Sequence, residues 1–514
     1  MKPFEAQSLP ELVTLASSFY GNKEAIEDND VSVTFIELEE ICKKSAESLL
    51  ALKVEPGDRI CIWAPNRTEW IIAAIAVQMV KAILVPINTR FKGVEASYIL
   101  KKTKAKVLFT VNNFLGVDYS LMIRDENLPD LQYIIFLDEE SGKDSWNEFK
   151  QLNLPKNKSL DLENDGSLVA DIIFTSGTTG SPKGVMVTQK QNLKVFENWS
   201  RHVGLNSEDR YLIVNPFFHT FGYKAGWLAC LMRGALILPH QVFDPQSVLE
   251  RIEKDKVSVM PGPPSLYQSI MDAENFKSFD ISSLRLAVTG AATIPIQLIN
   301  DMREVMKIDT VLTAYGLTES TGVVSMCNPG DTPELIANTS GVPIDGVEVK
   351  CITNEGKVSP LGQPGDIYVK GYNVMKGYYE EPEQTMDTVD EEGWLHTGDI
   401  GVINAQGYLS ITDRSKDMFI VGGFNTYPAE IENILASHAD ISSSAIIGIP
   451  DKRLGEVAKA FVVLKEGCFL EAVDLIKWCR IHMANYKVPR KITFVSTLPL
   501  NASGKVMKYK LRKL

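Results

Sequence analysis

The sequence predicts an α/β protein built in several parts, and three observations carry that reading. Short apolar runs of strand length alternate with helix-length amphipathic segments from the N-terminus to about Thr313, the rhythm of parallel α/β layers. From about Thr339 the helices drop out, and short strands follow one another through turns. The chain is 514 residues long, more than one hydrophobic core supports, so at least two domains are expected, with about three cores as a soft prior.

Taken in order, Phe35, Leu38, Ile41, Cys42, Leu49 and Leu50 fall largely on one helix face, followed by a strand at Arg59–Trp63 and a turn at Pro65-Asn66. The apolar segment Trp70–Val80 reads as a buried helix, because it is about half of the ~20 residues a membrane span needs and Gln78 and Lys81 interrupt it. Strands at Ala82–Pro86 and Val107–Val111 flank a Lys-rich helix. Further strands are expected at Leu168–Phe174, Tyr211–Val214, Ala235–Leu238, Val257–Met260, Leu284–Val288 and Thr310–Thr313. Most run into Gly- or Pro-bearing loops: Pro216-Phe-Phe-His219, Pro261-Gly-Pro-Pro264, Gly290-Ala-Ala292 and Tyr315-Gly316. Ligands of open α/β sheets bind beyond the carboxyl ends of the strands, so these loops are expected to converge on one crevice. The β-rich stretch has strands at Val347–Ile352, Asp366–Gly371 and Tyr408–Thr412. A small α+β domain follows a boundary near Asp413-Arg-Ser-Lys416, with strands at Met418–Val421, Ala445–Gly448, Val457–Leu464 and Ile492–Val495 and helices at Ala429–His438 and Ala472–His482. No internal repeat or low-complexity segment is evident.

Lys and Arg number 53 against 65 Asp and Glu, a net charge of -12, which argues against chain-wide affinity for nucleic acid or an anionic membrane. The N-terminus lacks the apolar core and cleavage site of a secretory signal. The seven cysteines are scattered without a CxxC, so neither a disulfide framework nor a zinc site is indicated, and a cytoplasmic protein with reduced thiols is expected.

Chemistry concentrates in a few loops. Asp171-Ile-Ile-Phe-Thr-Ser-Gly-Thr-Thr-Gly-Ser-Pro-Lys183-Gly184 leaves a strand as three glycines, hydroxyl residues and one lysine, a composition that lets backbone N–H groups and a cation approach a polyanion. The alternative is an ordinary flexible turn. A Walker A loop is excluded, since Pro182 precedes Lys183 and Gly184 follows it. Thr313-Ala-Tyr-Gly-Leu-Thr-Glu319 offers a ring to stack on a base, a hydroxyl for phosphate and a carboxylate for Mg²⁺. In Gly393-Trp-Leu-His-Thr-Gly-Asp399 the carboxylate can accept ribose hydroxyls. Leu498-Pro-Leu-Asn-Ala-Ser-Gly-Lys505 places a lysine after a glycine turn, and a solvated basic tail is its alternative reading.

In this order the segments resemble the adenylate-forming superfamily of acyl-CoA synthetases, peptide-synthetase adenylation domains and firefly luciferase, from about residue 10 to Lys510. The matches also include Gly365–Gly371 with Gly377-Tyr378, Gly407-Tyr408 with Asp413-Arg414, and Gly422-Gly-Phe-Asn-Thr-Tyr-Pro-Ala-Glu430. One departure is Gln189, where relatives usually carry His. The resemblance implies an α/β fold class: a large N-terminal domain of two α/β subdomains plus a β-barrel-like subdomain, and a small α+β C-terminal lid. It sets the AMP-binding domain at 1–413 and the mobile lid at 414–514, hinged at Lys416. It implies that a carboxylate attacks the α-phosphorus of ATP, expelling pyrophosphate, and that a thiol then cleaves the acyl adenylate.

It also implies roles. Thr175, Ser176, Gly177, Thr178, Thr179, Gly180 and Lys183 hold the β- and γ-phosphates. Gly290, Ala291, Ala292, Tyr315 and Gly316 bracket adenine, Thr318 contacts the α-phosphate, and Glu319 holds Mg²⁺. Asp399 and Arg414 hold the ribose. Lys505, carried in by the lid, neutralises charge at the α-phosphoryl and carboxylate oxygens. His219 is the aromatic gate beside the carboxylate and thiol tunnel, with a satisfied core histidine as the alternative. After the lid swings, Gly422, Gly423 and Phe424 line the pantetheine tunnel. ATP, Mg²⁺ and coenzyme A are thus the expected cofactors, a small carboxylic acid is the partner, and whether the chain forms a homo-oligomer is left open.

A stand-alone CoA ligase is expected over a peptide-synthetase module: the chain ends shortly after Lys505, and no acidic residue lies between Phe217 and Gly226 to take a substrate ammonium. A carrier protein as acceptor and a non-catalytic nucleotide-binding protein are the alternatives. The wording of Pro216–Gly226, Met260–Gln268 and Ala287–Ala292 resembles ligases that activate the propanoate side chain of the last two steroid rings, a subgroup that also holds medium-chain and branched acyl-CoA synthetases. Lys224 can meet a polar group of such a substrate, or be solvated or paired.

Overall fold

Arg59–Trp63 and its neighbours form a seven-stranded sheet, in the order Gly377–Tyr378, Lys183–Thr188, Val169–Thr175, Ile83–Pro86, Arg59–Trp63, Val107–Thr110 and Tyr133–Phe136. This computed structural model describes residues 1–514 except 30, 139–141, 143, 155–158, 164, 176–180, 291–293, 295, 354, 415–417, 500–505 and 514, and leaves out the side chains of 413, 414, 429, 433 and 509. The last four strands of the sheet run parallel, with Arg59 opposite Ile83, Ile60 opposite Val107 and Val107 opposite Tyr133. They are apolar nearly throughout because helices cover both faces of such a sheet. One of those helices, Thr68–Met79, is buried on every side, as its continuous apolar run predicts.

A second sheet orders Val31–Thr34, Glu24–Asp28, Leu236–Pro239 and Arg210–Ile213. Val259 bridges Tyr211 and Leu286, joining it to Leu286–Gly290, Thr310–Tyr315, Ser325–Met326 and Val342–Pro343. The strand expected at Val257–Met260 is thus reduced to one bridging residue. Pro261 interrupts it: Met260 N–H donates to Leu286 and Gly262 N–H to Val288, but the proline between them has no N–H. The β-rich stretch forms an antiparallel sheet of Val347–Ile352, Pro364–Gly371, Leu395–Ile403 and Leu409–Arg414. Val347, Cys351, Ile367, Val369 and Leu395 bury one face of it by strict alternation.

The chain divides into two compact units. The first joins Met1–Thr89, Ile99–Ile173 and Gly184–Asp413, and the second joins Arg90–Tyr98, Phe174–Lys183 and Arg414–Leu514. The second holds a sheet of Phe424–Thr426, Phe419–Val421, Gly455–Leu464 and Ile441–Asp451, with Lys491–Phe494 added parallel to Gly455–Leu464, and the helices Pro428–Ala436 and Ala472–His482. Its buried cation, Lys487, lies 2.7 Å from Glu95 and 2.5 Å from Glu430. Burial opposes the Lys487 charge, but Tyr486, Glu430 and Glu95 outweigh it and hold the ammonium above its ordinary range. Among the described residues no helix is long and apolar enough to cross a membrane.

In the first unit the loop leaving Arg210–Ile213 is held by buried Asn66. Its Nδ2 lies 3.1 Å from the carbonyl of Ile213, 2.9 Å from that of Asn215 and 3.2 Å from that of His240, while its Oδ1 accepts from Phe217 N at 2.7 Å. Replacing Asn66 with Ala removes this partner from Phe217 N–H and from the carbonyls of Asn215 and His240, while the Ile213 carbonyl keeps the N–H of His240. The expected result is a loss of about 2 kcal/mol or more in denaturant unfolding, with a larger fall in activity than a surface Asn→Ala control shows.

Candidate active site

Tyr315 closes the strand Thr310–Tyr315, next to Gly290 at the end of the neighbouring strand, which pairs with Ala314. A Cβ on Gly290 would sit 2.8 Å from the Ala314 carbonyl oxygen, and one on Gly316 only 2.1 Å from the Gly322 carbonyl oxygen. Both positions therefore require glycine, and the backbone beside the Tyr315 ring stays uncovered. The Tyr315 hydroxyl donates to Asp399 Oδ2 at 2.6 Å, joining the expected adenine and ribose residues across 84 positions of sequence. Asp399 is buried, and its own N–H donates to Thr397 Oγ1 at 3.1 Å.

Thr318 and Glu319 lie in a single 3₁₀ turn, Thr318–Ser320, which ends at Thr321 with φ 58°. Ser320 Oγ accepts from Leu317 N at 3.1 Å, and Thr321 Oγ1 donates to the Asn373 carbonyl at 2.7 Å. Glu319 is gripped from two sides. Its carbonyl accepts from Met375 N at 2.8 Å, and its Oε1 accepts from the Tyr378 hydroxyl at 3.0 Å. Tyr378 in turn pairs with Val185 in the strand that follows Lys183. Sequence reasoning placed Gly377-Tyr378 among the matching segments but gave the tyrosine no role. An oriented carboxylate of this kind is a hard oxygen donor suited to Mg²⁺.

His219 caps the short turn Thr220–Gly222, its Nδ1 accepting from Phe221 N at 3.2 Å. That bond leaves the ring proton of the neutral form on Nε2. The ring is accessible to solvent, yet protein crowds it enough for desolvation to lower its pKa from 6.5 to about 4. The exposed ring is not a core histidine. Gly222 cannot carry a side chain, since its Cβ would lie 2.3 Å from the carbonyl oxygens of Asn215 and Pro216. Lys224, read above as able to meet substrate, is instead paired: it is wholly buried, with Nζ 2.9 Å from Asp171 Oδ1. Asp171 opens the loop-bearing segment, but its pairing lies 53 residues along the chain and carried no sequence signal.

In the second unit Thr175 ends the strand Val169–Thr175 and Lys183 begins Lys183–Thr188. Tyr98 sits beside this segment, its ring edge-on to Phe174 at 6.5 Å and its hydroxyl donating to the Pro182 carbonyl at 3.2 Å. Gly422 and Gly423, with φ 55° and 86°, form the two-residue turn of a hairpin that pairs Val421 with Phe424. Positive φ at both central residues is the type I′ pattern, which explains the glycines. Phe424 stacks on Tyr486 at 5.0 Å, and Arg90 lies 4.2 Å over its ring. Ser176, Gly177, Thr178, Thr179, Gly180, Ala291, Ala292, Lys416 and Lys505 lie outside the described residues, as does the side chain of Arg414. The structure thus brings together Gly290, Tyr315, Gly316 and Asp399 in the first unit, and separately fixes Thr318, Glu319 and His219 there.

The first unit thus presents a tyrosine tied to a buried carboxylate, two positions that only glycine fits, and a glutamate held by Tyr378. The chain belongs to the AMP-binding enzymes: residues 15–379 match that family, and residues 430–505 match the AMP-binding enzyme C-terminal domain. It is 42% identical to the 3-[(3aS,4S,7aS)-7a-methyl-1,5-dioxo-octahydro-1H-inden-4-yl]propanoyl:CoA ligase of Rhodococcus jostii (strain RHA1), covering 98% of each chain. It is 44% identical to the ligase of the same name from Mycobacterium tuberculosis (strain ATCC 25618 / H37Rv), covering 94% of each. Among solved structures, an o-succinylbenzoate CoA synthetase (MenE) variant from Bacillus subtilis, bound with a product analogue, superposes with a TM-score of 0.87 at 28% identity, covering 98% of each chain. The fold is that of the adenylate-forming enzymes, with a large N-terminal and a small C-terminal domain. The protein is an ATP-dependent, AMP-forming acid–CoA ligase that uses ATP, Mg²⁺ and coenzyme A.

The depressed pKa of His219 sets a pH dependence with a definite sign. Between about 6.5 and 4 the unfolded chain binds a proton at this ring and the folded chain does not, so stability falls as pH drops through that window. Replacing His219 with Gln is expected to flatten this part of the stability–pH curve. An NMR titration of the wild-type ring is expected to show a midpoint well below 6.5.

Proposed function

We propose that this ligase activates a bicyclic, steroid-ring-derived propanoate, with medium-chain or branched acids as weaker substrates. The observation that carries this reading is the identity of 42% and 44%, over nearly the whole chain, to two ligases named for one such acid. The aromatic segment around His219 supports it.

In the reaction the acid's carboxylate oxygen attacks the α-phosphorus of ATP, and the bond to the pyrophosphate oxygen breaks. The thiolate of coenzyme A then attacks the acyl carbon, the bond to AMP breaks, and the thiol proton passes to solvent. Tyr315 and Gly316 with Gly290–Ala292 would flank adenine. Asp399, already oriented by the Tyr315 hydroxyl, and Arg414 would take the ribose, and Thr318 the α-phosphate. Glu319, steadied by Tyr378, would hold Mg²⁺, which offsets phosphate charge when bound. Thr175–Lys183 would clamp the departing pyrophosphate. A neutral His219 can donate through Nε2 or withdraw without moving a charge. Residues 414–514 would act as a lid hinged at Lys416, delivering Lys505 for adenylation and the Gly422-Gly-Phe424 turn for thioester formation. A cytoplasmic location follows from the same reading.

Pyrophosphate release across fatty, aryl and bicyclic propanoic acids tests the substrate. The bicyclic acid is expected to lead in kcat/KM, and a strong preference for a linear long-chain acid would overturn the assignment. Lys505→Ala is expected to cut adenylation by ~10²-fold or more and to leave transfer from a supplied acyl adenylate to coenzyme A largely intact. Equal loss of both half-reactions would refute the lid swing.

A further inference from the structure

Lys224 and Asp171 form an ion pair from which solvent is wholly excluded, both side chains being 0% exposed. Asp171 Oδ1 accepts from Lys224 Nζ at 2.9 Å and Oδ2 from Asn192 Nδ2 at 2.6 Å. Tyr223 also lies against Asp171, and its hydroxyl accepts from Gln78 Nε2 at 2.9 Å. Burial drives the Lys224 ammonium below its ordinary range, and Asp171 opposes that shift.

Stability alone does not account for such a pair. Removing two charges from water costs about as much as their attraction returns, and an apolar pair of similar volume often holds a fold as well or better. What a buried pair adds is a single allowed register, and its position shows what that register joins. Asp171 lies four residues before Thr175, on the strand that runs into the phosphate loop. Lys224 lies five residues after His219, inside a π-turn spanning Tyr223–Leu228 whose Gly226 departs from helical geometry at φ -90° and ψ -107°. The Ala225 carbonyl in this turn accepts from the Tyr211 hydroxyl at 3.0 Å. The i→i+5 ladder of such a turn is short and departs from helical geometry at Gly226, so contacts from outside the turn help to place it.

We infer that the Lys224–Asp171 pair is a positioning device for adenylation: it locks the His219 segment to the strand entering the phosphate loop, and Lys224 acts through that segment without touching substrate. Registration of the acid's carboxylate against the α-phosphorus then depends on the charges and not only on the volume they fill.

Lys224→Met and the double variant Asp171→Asn/Lys224→Met separate this role from a structural one. The single change leaves a buried, uncompensated carboxylate and is expected to lower the thermal midpoint. The double change removes both charges, keeps an acceptor for Asn192, and is expected to restore the midpoint. In the double variant kcat for pyrophosphate release should nevertheless stay down by about tenfold or more, with a raised KM for the acid and a KM for ATP within about twofold of wild type. Recovery of both the midpoint and kcat would make the pair structural only, and a loss confined to the KM for ATP would place its action elsewhere. Measured with whichever acid of the panel the wild type activates best, the result does not depend on the substrate assignment.

Discussion

Backbone that leaves the end of a strand must find hydrogen-bond partners outside the ladder, and the first unit is organised around that requirement. Thr318, Glu319 and His219 sit in turns outside the strand ladders, while Gly290, Tyr315 and Asp399 lie on strands. Side chains supply partners there: Asn66 for the loop after Arg210–Ile213, Ser320 for Leu317 N and Asn373 for the Val323 carbonyl on either side of the Thr318–Ser320 turn, and Tyr211 for the π-turn. Asn66, Asn373 and Tyr211 reach these segments from 147, 50 and 14 positions away, while Ser320 acts within its own turn. A site assembled this way can be preorganised without burying the loops, which must stay open to a nucleotide and an acid.

Charge is handled by the same economy. The chain carries a net charge of -12 yet must bind a polyanion and a carboxylate, so cations cannot be spent on a diffuse field. Two lysines are instead buried against carboxylates, Lys224 on Asp171 and Lys487 on Glu95 and Glu430. His219, which a carboxylate would be expected to favour as a cation, is kept neutral by desolvation. A neutral ring brings no fixed charge to the turn it caps.

Much of this was legible in the sequence where local physics dominates. The helix Ala472–His482 and the strand Val347–Ile352 fall within the expected bounds, because each carries its own periodicity and turn residues. Val257–Met260 was over-read: apolar composition signals burial, while pairing also needs the N–H that Pro261 lacks. The residue types at Tyr315, Glu319 and Asp399 suggested a nucleotide site from the sequence alone. Their mutual bonds did not, because Tyr315 reaches Asp399 and Tyr378 reaches Glu319 only through the fold. The same is true of Lys224, whose partner no pattern of spacing could reveal.

Gln189, the one departure noted among the matching segments, has a use of its own. Buried beside Thr188, which caps the helix Gln189–His202, it accepts from Leu9 N at 3.0 Å, while Gly166 lies so near the Gln7 carbonyl that a Cβ there would stand 2.9 Å from it. The start of the helix Leu9–Tyr20 is thereby joined to the start of the helix Gln189–His202. A truncation that removes Leu9 takes away the N–H from which Gln189 Oε1 accepts, so its cost falls on a helix 180 positions further along the chain.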